Sequence, residues 1–270
     1  MMHLHSNRTP ATRVVGVLVF TAFWLLFSAT ILPAQAQSTT TRVMVRAVAN
    51  DAKLIGSNVG GARIVITRAS DGTVLADGLQ AGSTGDTKRI VIDPRPRHGT
   101  VFNTDGAAGF TAELQLSSPT LVEITAYAPL GDPAGLVHSS KRMWLVPGQH
   151  VEGEGVVIEL NGFTVNIVSP RSEKAERTGR DIQVEARVTL LCGCPTEPDG
   201  IWDSNDITVE ATLFDGEQAL GRTTLLYAGV VSTYSGVLTG LEAGRYRLEV
   251  VAMDAAHGNF GVSHLFLTIE

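Results

Sequence analysis

The sequence predicts an all-β protein: two tandem antiparallel β-sandwiches that follow an N-terminal apolar helix. Three observations predict this class. Apolar and polar residues alternate repeatedly along residues 37–270, which is the period of a half-buried strand. The alternating runs are short and are bounded by Gly, Pro, Asp or Ser, as strands usually are. No window in this part carries the period of an amphipathic helix longer than two turns.

Residues 1–36 have the three-part organisation of a secretory signal peptide. Arg8 and Arg13 lie in a start without acidic residues, residues 14–32 are uncharged, and Ala-Gln-Ala at 34–36 supplies a cleavage site. Cleavage there predicts an exported protein, periplasmic or extracellular. An uncleaved membrane anchor is the alternative, because an uncharged run of this length comes close to spanning a bilayer.

Charge and composition exclude several classes of protein. The chain has 21 Lys and Arg against 27 Asp and Glu, so its formal charge is -6, and loss of the signal peptide would remove two more positive charges. An acidic balance without a basic stripe argues against general nucleic-acid binding and against tight binding to anionic lipid. With 44% hydrophobic and 18% charged residues, the chain is too apolar to be mostly disordered.

The first sandwich is predicted over residues 37–160. Asp71-Gly72 lies between two alternating runs and indicates a hairpin, because Asp-Gly readily supplies positive φ. The segment after Gly162 starts a new alternating run, which places a boundary near residues 160–162. The predicted strands are residues 42–47, 62–67, 88–92, 110–116, 121–126, 143–146 and 156–160.

The second sandwich is predicted over residues 161–270, which has the length and strand spacing of one immunoglobulin-like domain. Residues 163–168 alternate until Pro170 ends the run, and residues 182–190 and 207–213 repeat the pattern. The segment 172–180 carries charges but no apolar stripe, so it is predicted to be a solvated loop.

Part of the N-terminal half resembles a known domain type. Gly61-Ala62-Arg63-Ile64-Val65-Ile66, then residues 70–76 and Gly-Ser-Thr-Gly at 82–85, are similar to the carboxypeptidase-regulatory-like (transthyretin-like) sandwich. The resemblance covers about residues 41–92. It implies a β-sandwich used for binding, spacing or scaffolding, and it transfers no catalytic residue.

Part of the C-terminal half resembles a second domain type. Residues 240–250 are similar to the entry of the penultimate strand in bacterial immunoglobulin-like and fibronectin-III-like modules. The resemblance implies that Tyr246 is the corner tyrosine, whose hydroxyl bonds back to the preceding turn. Residues 254–259 then form the hairpin to a last strand over 262–269. This family also implies binding or scaffolding.

Cys192 and Cys194 are the two cysteines of the chain, and they flank Gly193. In an oxidising compartment such a pair tends to form a disulfide, and Gly193 relaxes the backbone of the small ring. The alternatives are a soft-metal site for Cu(I) or Zn(II), free or intermolecular thiols, and a redox-active disulfide.

The loop after these cysteines is acidic and contains a tryptophan. Trp202, Asp203 and Asp206 are candidate binding residues. Calcium binding is one alternative for residues 199–206, although their spacing does not match the usual calcium loop. An exposed acidic turn is the other, with Trp202 either capping the core or facing a sugar or protein partner.

A second candidate loop is basic and rich in proline within an acidic protein. Arg95, Arg97 and His98 follow Asp93-Pro94, and they are candidate contacts for a partner or an anionic ligand. The alternative is a long, solvated connection that proline stiffens.

The sequence as a whole predicts an exported, non-enzymatic binding or accessory protein of the bacterial envelope. It would recognise a protein or glycan partner through loops 93–105 and 192–206, without a cofactor. The common catalytic signatures for serine hydrolases, zinc proteases, nucleotide phosphates and dinucleotides do not occur. The alternatives are a metal-handling or redox protein that uses Cys192 and Cys194, and an unrecognised hydrolase with carboxylates distant in the chain.

Overall fold

The computed structural model describes residues 37–171 and 181–269, in which the regular secondary structure consists mostly of strands. The predicted signal peptide and the predicted solvated loop 172–180 lie outside the described residues. Within the described part, no helix has the length and apolar content that crossing a bilayer requires. The all-β fold class predicted from the sequence is confirmed.

Seven strands precede residue 161 and seven follow it. The first seven are β1 (Thr39–Ala49), β2 (Ala62–Arg68), β3 (Val74–Gln80), β4 (Phe110–Leu116), β5 (Thr120–Ala128), β6 (Val137–Leu145) and β7 (Val151–Leu160). The second seven are β8 (Phe163–Ser169), β9 (Ile182–Leu190), β10 (Thr208–Asp215), β11 (Gln218–Tyr227), β12 (Thr233–Leu238), β13 (Gly244–Asp254) and β14 (Asn259–Ile269).

The first seven strands form two sheets, with orders β4-β1-β7 and β3-β2-β5-β6. Alternation in the sequence decides the buried face, since Val43 and Val45 on β1 and Ile64 and Ile66 on β2 are fully buried between the sheets. The pairs are antiparallel with one exception. β1 and β7 run parallel, with Val45 opposite Val156, so the antiparallel prediction fails for this pair. The chain crosses between the sheets before β7 and returns beside β1 in the same direction.

Residues 88–92 do not form the strand predicted from their alternation. Lys88–Ile92 is instead one turn of π-helix. The Asp86 side chain accepts a hydrogen bond from the Arg89 backbone N–H, and the Asp86 carbonyl accepts one from the Ile90 N–H. These local bonds replace the ladder that a strand would need. Ile90 is the one fully buried residue of the turn, and Val91 packs against the same small apolar cluster.

The last seven strands form one continuous sheet with the order β14-β13-β10-β11-β12-β9-β8. The sheet curls until its two edge strands are neighbours: an added Cβ on Gly261 of β14 would lie 2.5 Å from the Phe163 carbonyl oxygen on β8. The inward positions of β9, β10 and β13 fill the space inside. They are Val184, Ala186, Val188, Val209, Ala211, Leu213, Leu248, Val250 and Ala252.

The two sets of strands follow each other without a long linker. β7 ends at Leu160 and β8 begins at Phe163. Buried apolar residues of both sets belong to one continuous core cluster, to which Leu160 and Phe163 both contribute. The division into domains at 160/161 stays a prediction.

Candidate functional site

The predicted loop at residues 93–99, called the basic loop below, lies on the surface of the N-terminal half. Arg95, Arg97 and His98 are all exposed. His98 has a φ of 65°, a left-handed conformation that His adopts more readily than most residues, and it turns the chain back toward the sheets. The loop therefore presents its cations to solvent.

Arg95 connects the basic loop to the residues beneath it. Its Nη2 donates to the Ile90 carbonyl at 3.3 Å, and its guanidinium lies 5.5 Å from the centre of the Phe102 ring. Ile90 and Phe102 belong to a small second core under the loop. The buried members of this second core are Val48, Leu54, Ile90, Val101, Phe102 and Ala108.

A buried arginine on β1 bonds to residues 103–108, which follow the basic loop. Arg46 is only 2% exposed. Its Nη1 donates to the Ala108 carbonyl at 2.6 Å, and its Nη2 donates to Asn103 Oδ1 at 2.9 Å. Burial lowers the pKa of the Arg46 guanidinium, and the Glu154 carboxylate opposes that shift. The buried Nε has no hydrogen-bond partner among the described residues.

Glu154 on β7 holds the same segment from the other side. Its two carboxylate oxygens accept hydrogen bonds from the backbone N–H groups of Phe102 and Asn103, at 2.8 and 2.9 Å. Charged hydrogen bonds of this kind are roughly twice as strong as neutral ones. Arg46 and Glu154 thus fix residues 102–108 between β1 and β7, and they give the basic loop a firm base.

An open groove of about 540 Å³ lies beside this segment. Arg89 supplies a cation to its wall, and Asp86 and Asp105 supply carboxylates. The remaining lining residues are Ser83, Gly85, Asn103 and Thr104. Their hydroxyl, amide and backbone groups can donate or accept hydrogen bonds, which suits a ligand rich in hydroxyl or amide groups.

The second predicted loop lies against the N-terminal half. Trp202 is half-buried on the core, and its Nε1 donates to the Asp51 carbonyl at 2.9 Å. The Asp203 carboxylate accepts from the backbone N–H of Asn205 at 2.9 Å and so caps a short 3₁₀ turn. Asp206 is exposed. In this loop the indole N–H and the Asp203 carboxylate therefore already have partners within the chain.

The two cysteines are buried and lie at disulfide distance from each other. The sulfur atoms of Cys192 and Cys194 are 2.04 Å apart, which is the length of a disulfide bond. Asn58 Nδ2 donates to the Cys192 carbonyl at 3.0 Å, which ties this turn to the N-terminal half. Among residues 37–171 and 181–269, no group of three or more His, Cys, Asp or Glu side chains is placed to hold a metal ion. In the disulfide form neither sulfur is a thiolate, the form that ligates metals.

Tyr246 lies at the start of β13 with most of its ring buried. Its hydroxyl donates to the Glu242 carbonyl at 3.1 Å, in the turn that precedes the strand. This bond fixes how the chain enters β13, and the residue has a structural position away from the basic loop.

Sequence reasoning missed Arg46 and Glu154. Arg46 alternates with Val45 and Ala47 on β1, which places it on the outward face, where an arginine is ordinarily solvated. The one available signal is that Val48, two positions on along the same face, is apolar. An apolar residue two positions from a charged one, on the outward face of a strand, indicates that another segment covers that face.

A titratable cluster joins the C-terminal hairpin to the N-terminal half. The His257 Nδ1 lies 2.8 Å from Asp254 Oδ2, and the His257 Nε2 lies 3.9 Å from Asp51 Oδ2. Asn50 Nδ2 also donates to the His257 carbonyl at 2.7 Å. Hydrogen bonding to Asp254, its charge, and the charges of Asp51 and Asp206 raise the pKa of His257.

His257 should make the chain more stable in mild acid. A histidine whose pKa is raised by folding contributes stability that is complete below its unfolded pKa, about 6.5, and disappears as the pH rises through its folded value. The wild type should therefore lose stability relative to His257→Gln between pH 5.5 and pH 8.5. Because the side chain is about half exposed, the difference should be under about 1 kcal/mol.

Chemical denaturation at the two pH values measures this difference. His138→Gln, on β6, is the control for losing an imidazole elsewhere. Equal pH dependence in the wild type and His257→Gln would show that the cluster does not stabilise the protonated form.

Comparison with known proteins gives only distant likeness. No protein-family model matches the chain, and no curated protein matches it in sequence. An engineered protein is 17% identical with a TM-score of 0.30, over 47% of this chain and 24% of that chain. The match therefore spans about a quarter of the engineered protein. Fibronectin(III)-like modules of Clostridium thermocellum CbhA are 14% identical with a TM-score of 0.28, over 86% and 94% of the two chains. Tandem Ig domains of titin are 11% identical with a TM-score of 0.24, over 87% and 97%.

Proposed function

We propose that this protein is an exported, non-enzymatic binding or accessory protein of the bacterial envelope, and that the basic loop recognises a protein or glycan partner carrying acidic groups. The observation that carries the proposal is the loop's construction. The exposed cations of the basic loop precede residues 102–108, which a buried arginine and a glutamate hold in place, and Arg95 packs on Phe102 of that segment. Binding loops on rigid sandwiches work in this way, because less conformational entropy is lost when the partner arrives.

The local charge of the basic loop favours an acidic partner. The chain is acidic overall, so its long-range field repels polyanions and a local contact has to supply the attraction. Arg95, Arg97 and His98 are exposed together in the basic loop, and Arg89 lies in the neighbouring groove. Guanidinium groups bind carboxylates in a bidentate fashion, which adds direction to the contact.

The domain types support an accessory role. We propose that the N-terminal half is a carboxypeptidase-regulatory-like sandwich and that residues 161–270 form a separate immunoglobulin-like domain. Such sandwiches present loops on a stable scaffold, and catalysis is not part of what either resemblance implies.

Removing two cations from this region should weaken binding to acidic polymers. Two probes are suitable: a polyuronate, as an acidic polysaccharide, and polyglutamate, as an acidic polypeptide. The double variant Arg89→Gln, Arg97→Gln should bind the preferred probe about fivefold more weakly, since each exposed ion pair is worth up to about 1 kcal/mol. Calorimetric titration of the purified protein at low and moderate salt measures the change, and salt should weaken the wild-type binding.

The matched control removes the same charge elsewhere. Arg63 and Arg142 are exposed arginines on β2 and β6 that pair with Asp77 and Glu123. Arg63→Gln, Arg142→Gln should leave binding unchanged. Preference for one probe identifies the partner as glycan or protein. Equal losses in both double variants, or no binding of either probe, would contradict the proposal.

A further inference from the structure

An open cleft of about 520 Å³ lies where the two halves of the chain meet, and it is called the junction cleft below. One wall is the outward face of β8 and β9. The opposite wall consists of two turns of the N-terminal half, at residues 58–60 and 129–132, and Gly193 of the cysteine turn lies beside them. The volume is in the range of about 300–1,000 Å³ that proteins use for small ligands, which often bind at such interfaces.

Hydrogen bonds between the two halves fix the width of the junction cleft. Asn58 Nδ2 on one wall donates to the Cys192 carbonyl at 3.0 Å, and Asn166 Nδ2 on the other donates to Asp132 Oδ2 at 3.0 Å. A backbone hydrogen bond of 2.8 Å also joins the two turns of the N-terminal wall. A cleft that is held at a fixed width loses little conformational entropy when a ligand enters it.

Two threonine hydroxyls line the junction cleft without a partner of their own. Thr164 on β8 and Thr189 on β9 lie opposite each other, and each residue is only 9% exposed. Within residues 37–171 and 181–269, no group hydrogen-bonds to either hydroxyl. Thr164 Oγ1 faces the N-terminal half, since an added Cβ on Gly135 would lie 3.3 Å from it. A buried hydroxyl without a partner costs free energy, and a ligand with hydroxyl groups would supply the missing bonds.

The junction cleft also has one positive charge that the chain does not balance. Its lining residues include one cation, Arg187, and one carboxylate, Asp132. The Asp132 carboxylate already accepts three hydrogen bonds, two from backbone N–H groups and one from Asn166. Arg187 is exposed, and it forms no ion pair with any carboxylate in the described part of the chain, including Glu185 two positions earlier on β9. A free guanidinium of this kind suits a ligand carboxylate, which it binds through two parallel hydrogen bonds.

The rest of the lining favours a sugar over a peptide. Val59 and Pro129 are the apolar side chains among the lining residues, so the cleft has no apolar pocket of the kind that holds a peptide side chain. The amides of Asn58 and Asn166 add further polar groups to those of the two threonines. A sugar ring presents a hydroxyl at most of its carbons, and each hydroxyl both donates and accepts.

We propose that the junction cleft binds a uronic acid residue of a glycan. Arg187 holds the carboxylate of the sugar, and Thr164 and Thr189 bond to its hydroxyls. This site lies at the junction of the two halves and shares no residue with the basic loop, so it is independent of the function proposed above.

NMR titration of the purified protein with methyl β-glucuronide tests the proposal. The wild type should bind it with a Kd of about 1 mM, because a ligand of this size gains only a small free energy per atom. Arg187→Gln should weaken binding at least tenfold, since it removes a charged hydrogen-bond donor. The basic-loop variant Arg89→Gln, Arg97→Gln should bind this single-charge ligand as the wild type does. Failure here and failure of the basic-loop proposal are therefore separate results.

Two further variants control for charge and for folding. Arg222→Gln removes an exposed arginine of the same half that pairs with Glu210 at 3.5 Å, and it should keep the wild-type affinity. Thr189→Val keeps the shape of the side chain and removes its hydroxyl. It should weaken binding about fivefold and leave the urea-unfolding midpoint unchanged, because no hydrogen bond of the described chain is lost.

Two related ligands test which groups the cleft recognises. Methyl β-glucoside lacks the carboxylate and N-acetylalanine lacks the sugar hydroxyls, so each should bind at least tenfold more weakly than methyl β-glucuronide. Equal binding of either compound would contradict a uronic acid site. The proposal would also be overturned if methyl β-glucuronide did not bind, if Arg187→Gln kept the wild-type affinity, or if Thr189→Val unfolded at lower urea than the wild type.

Discussion

Replacing Arg46 with methionine should lower the free energy of unfolding by about 3 kcal/mol. Methionine keeps much of the volume of the side chain but removes its donors. The buried Ala108 carbonyl would lose its charged donor, and the exposed Asn103 side chain would lose its hydrogen bond from Nη2. Glu154 would keep its two backbone hydrogen bonds but lose the nearby positive charge. Urea unfolding of the purified protein measures the loss.

Arg42→Met is the matched control for this change. Arg42 lies on the same strand and points the same way, but its side chain is 41% exposed and pairs with Glu152 at 2.8 Å. Its replacement should change stability by less than about 1 kcal/mol. Hydrogen exchange at the backbone amides of Phe102 and Asn103 should accelerate in Arg46→Met alone. Equal effects of the two substitutions would mean that Arg46 is not what holds the segment under the basic loop.

Replacing Gln80 with methionine should lower the free energy of unfolding by about 2 to 4 kcal/mol. Gln80 is fully buried at the end of β3. Its Oε1 accepts from the Ala47 N–H at 2.6 Å, and its Nε2 donates to the carbonyls of Ala47 and Ile55 at 2.9 Å each. The amide thus bonds the backbone of Ala47 on β1 and the carbonyl of Ile55 in the segment after it. Methionine would remove these bonds from the Ala47 N–H and the Ile55 carbonyl, whereas the Ala47 carbonyl would keep its hydrogen bond from the Ile55 N–H.

Gln115→Met supplies the comparison, because the Gln115 amide donates to Thr40 Oγ1 on an exposed face. That substitution should stay within about 0.5 kcal/mol of the wild type. Thermal and urea unfolding of both variants measure the difference. A Gln80→Met protein as stable as Gln115→Met would show that water or a local shift satisfies the β1 backbone instead.

The sequence was enough to place most strands. Phe163–Ser169 and Ile182–Leu190 have the predicted bounds, or nearly so, because their alternation is strict and Pro170 ends the first run. In a half-buried strand the same residues set both the local conformation and the buried face, so local pattern and tertiary structure agree. Residues 88–92 differ, since hydrogen bonds within the turn replace strand pairing and Ile90 is the one fully buried residue of the turn.

The candidate site was only partly readable from the sequence. The exposure of Arg95, Arg97 and His98 follows from a proline-rich, charged segment that cannot pair as a strand. For Trp202 the sequence left open whether it caps the core or faces a partner; it packs on the core and donates to the Asp51 carbonyl, because loop 192–206 lies against the turn that contains Asp51. Asp203 accepts a hydrogen bond from Asn205 within its own loop. Which of two polar loops is covered depends on where distant strands lie, and that information is not local.

The sequence by itself determined the strand pattern, the acidic charge and the basic loop, because these depend on neighbours along the chain. Only the tertiary structure decided that Arg46 and Gln80 are buried. Alternation assigns Arg46 to an outward face, and it becomes buried because residues 102–108, far along the chain, cover that face. The physical reason is burial by a distant segment, which no local period encodes.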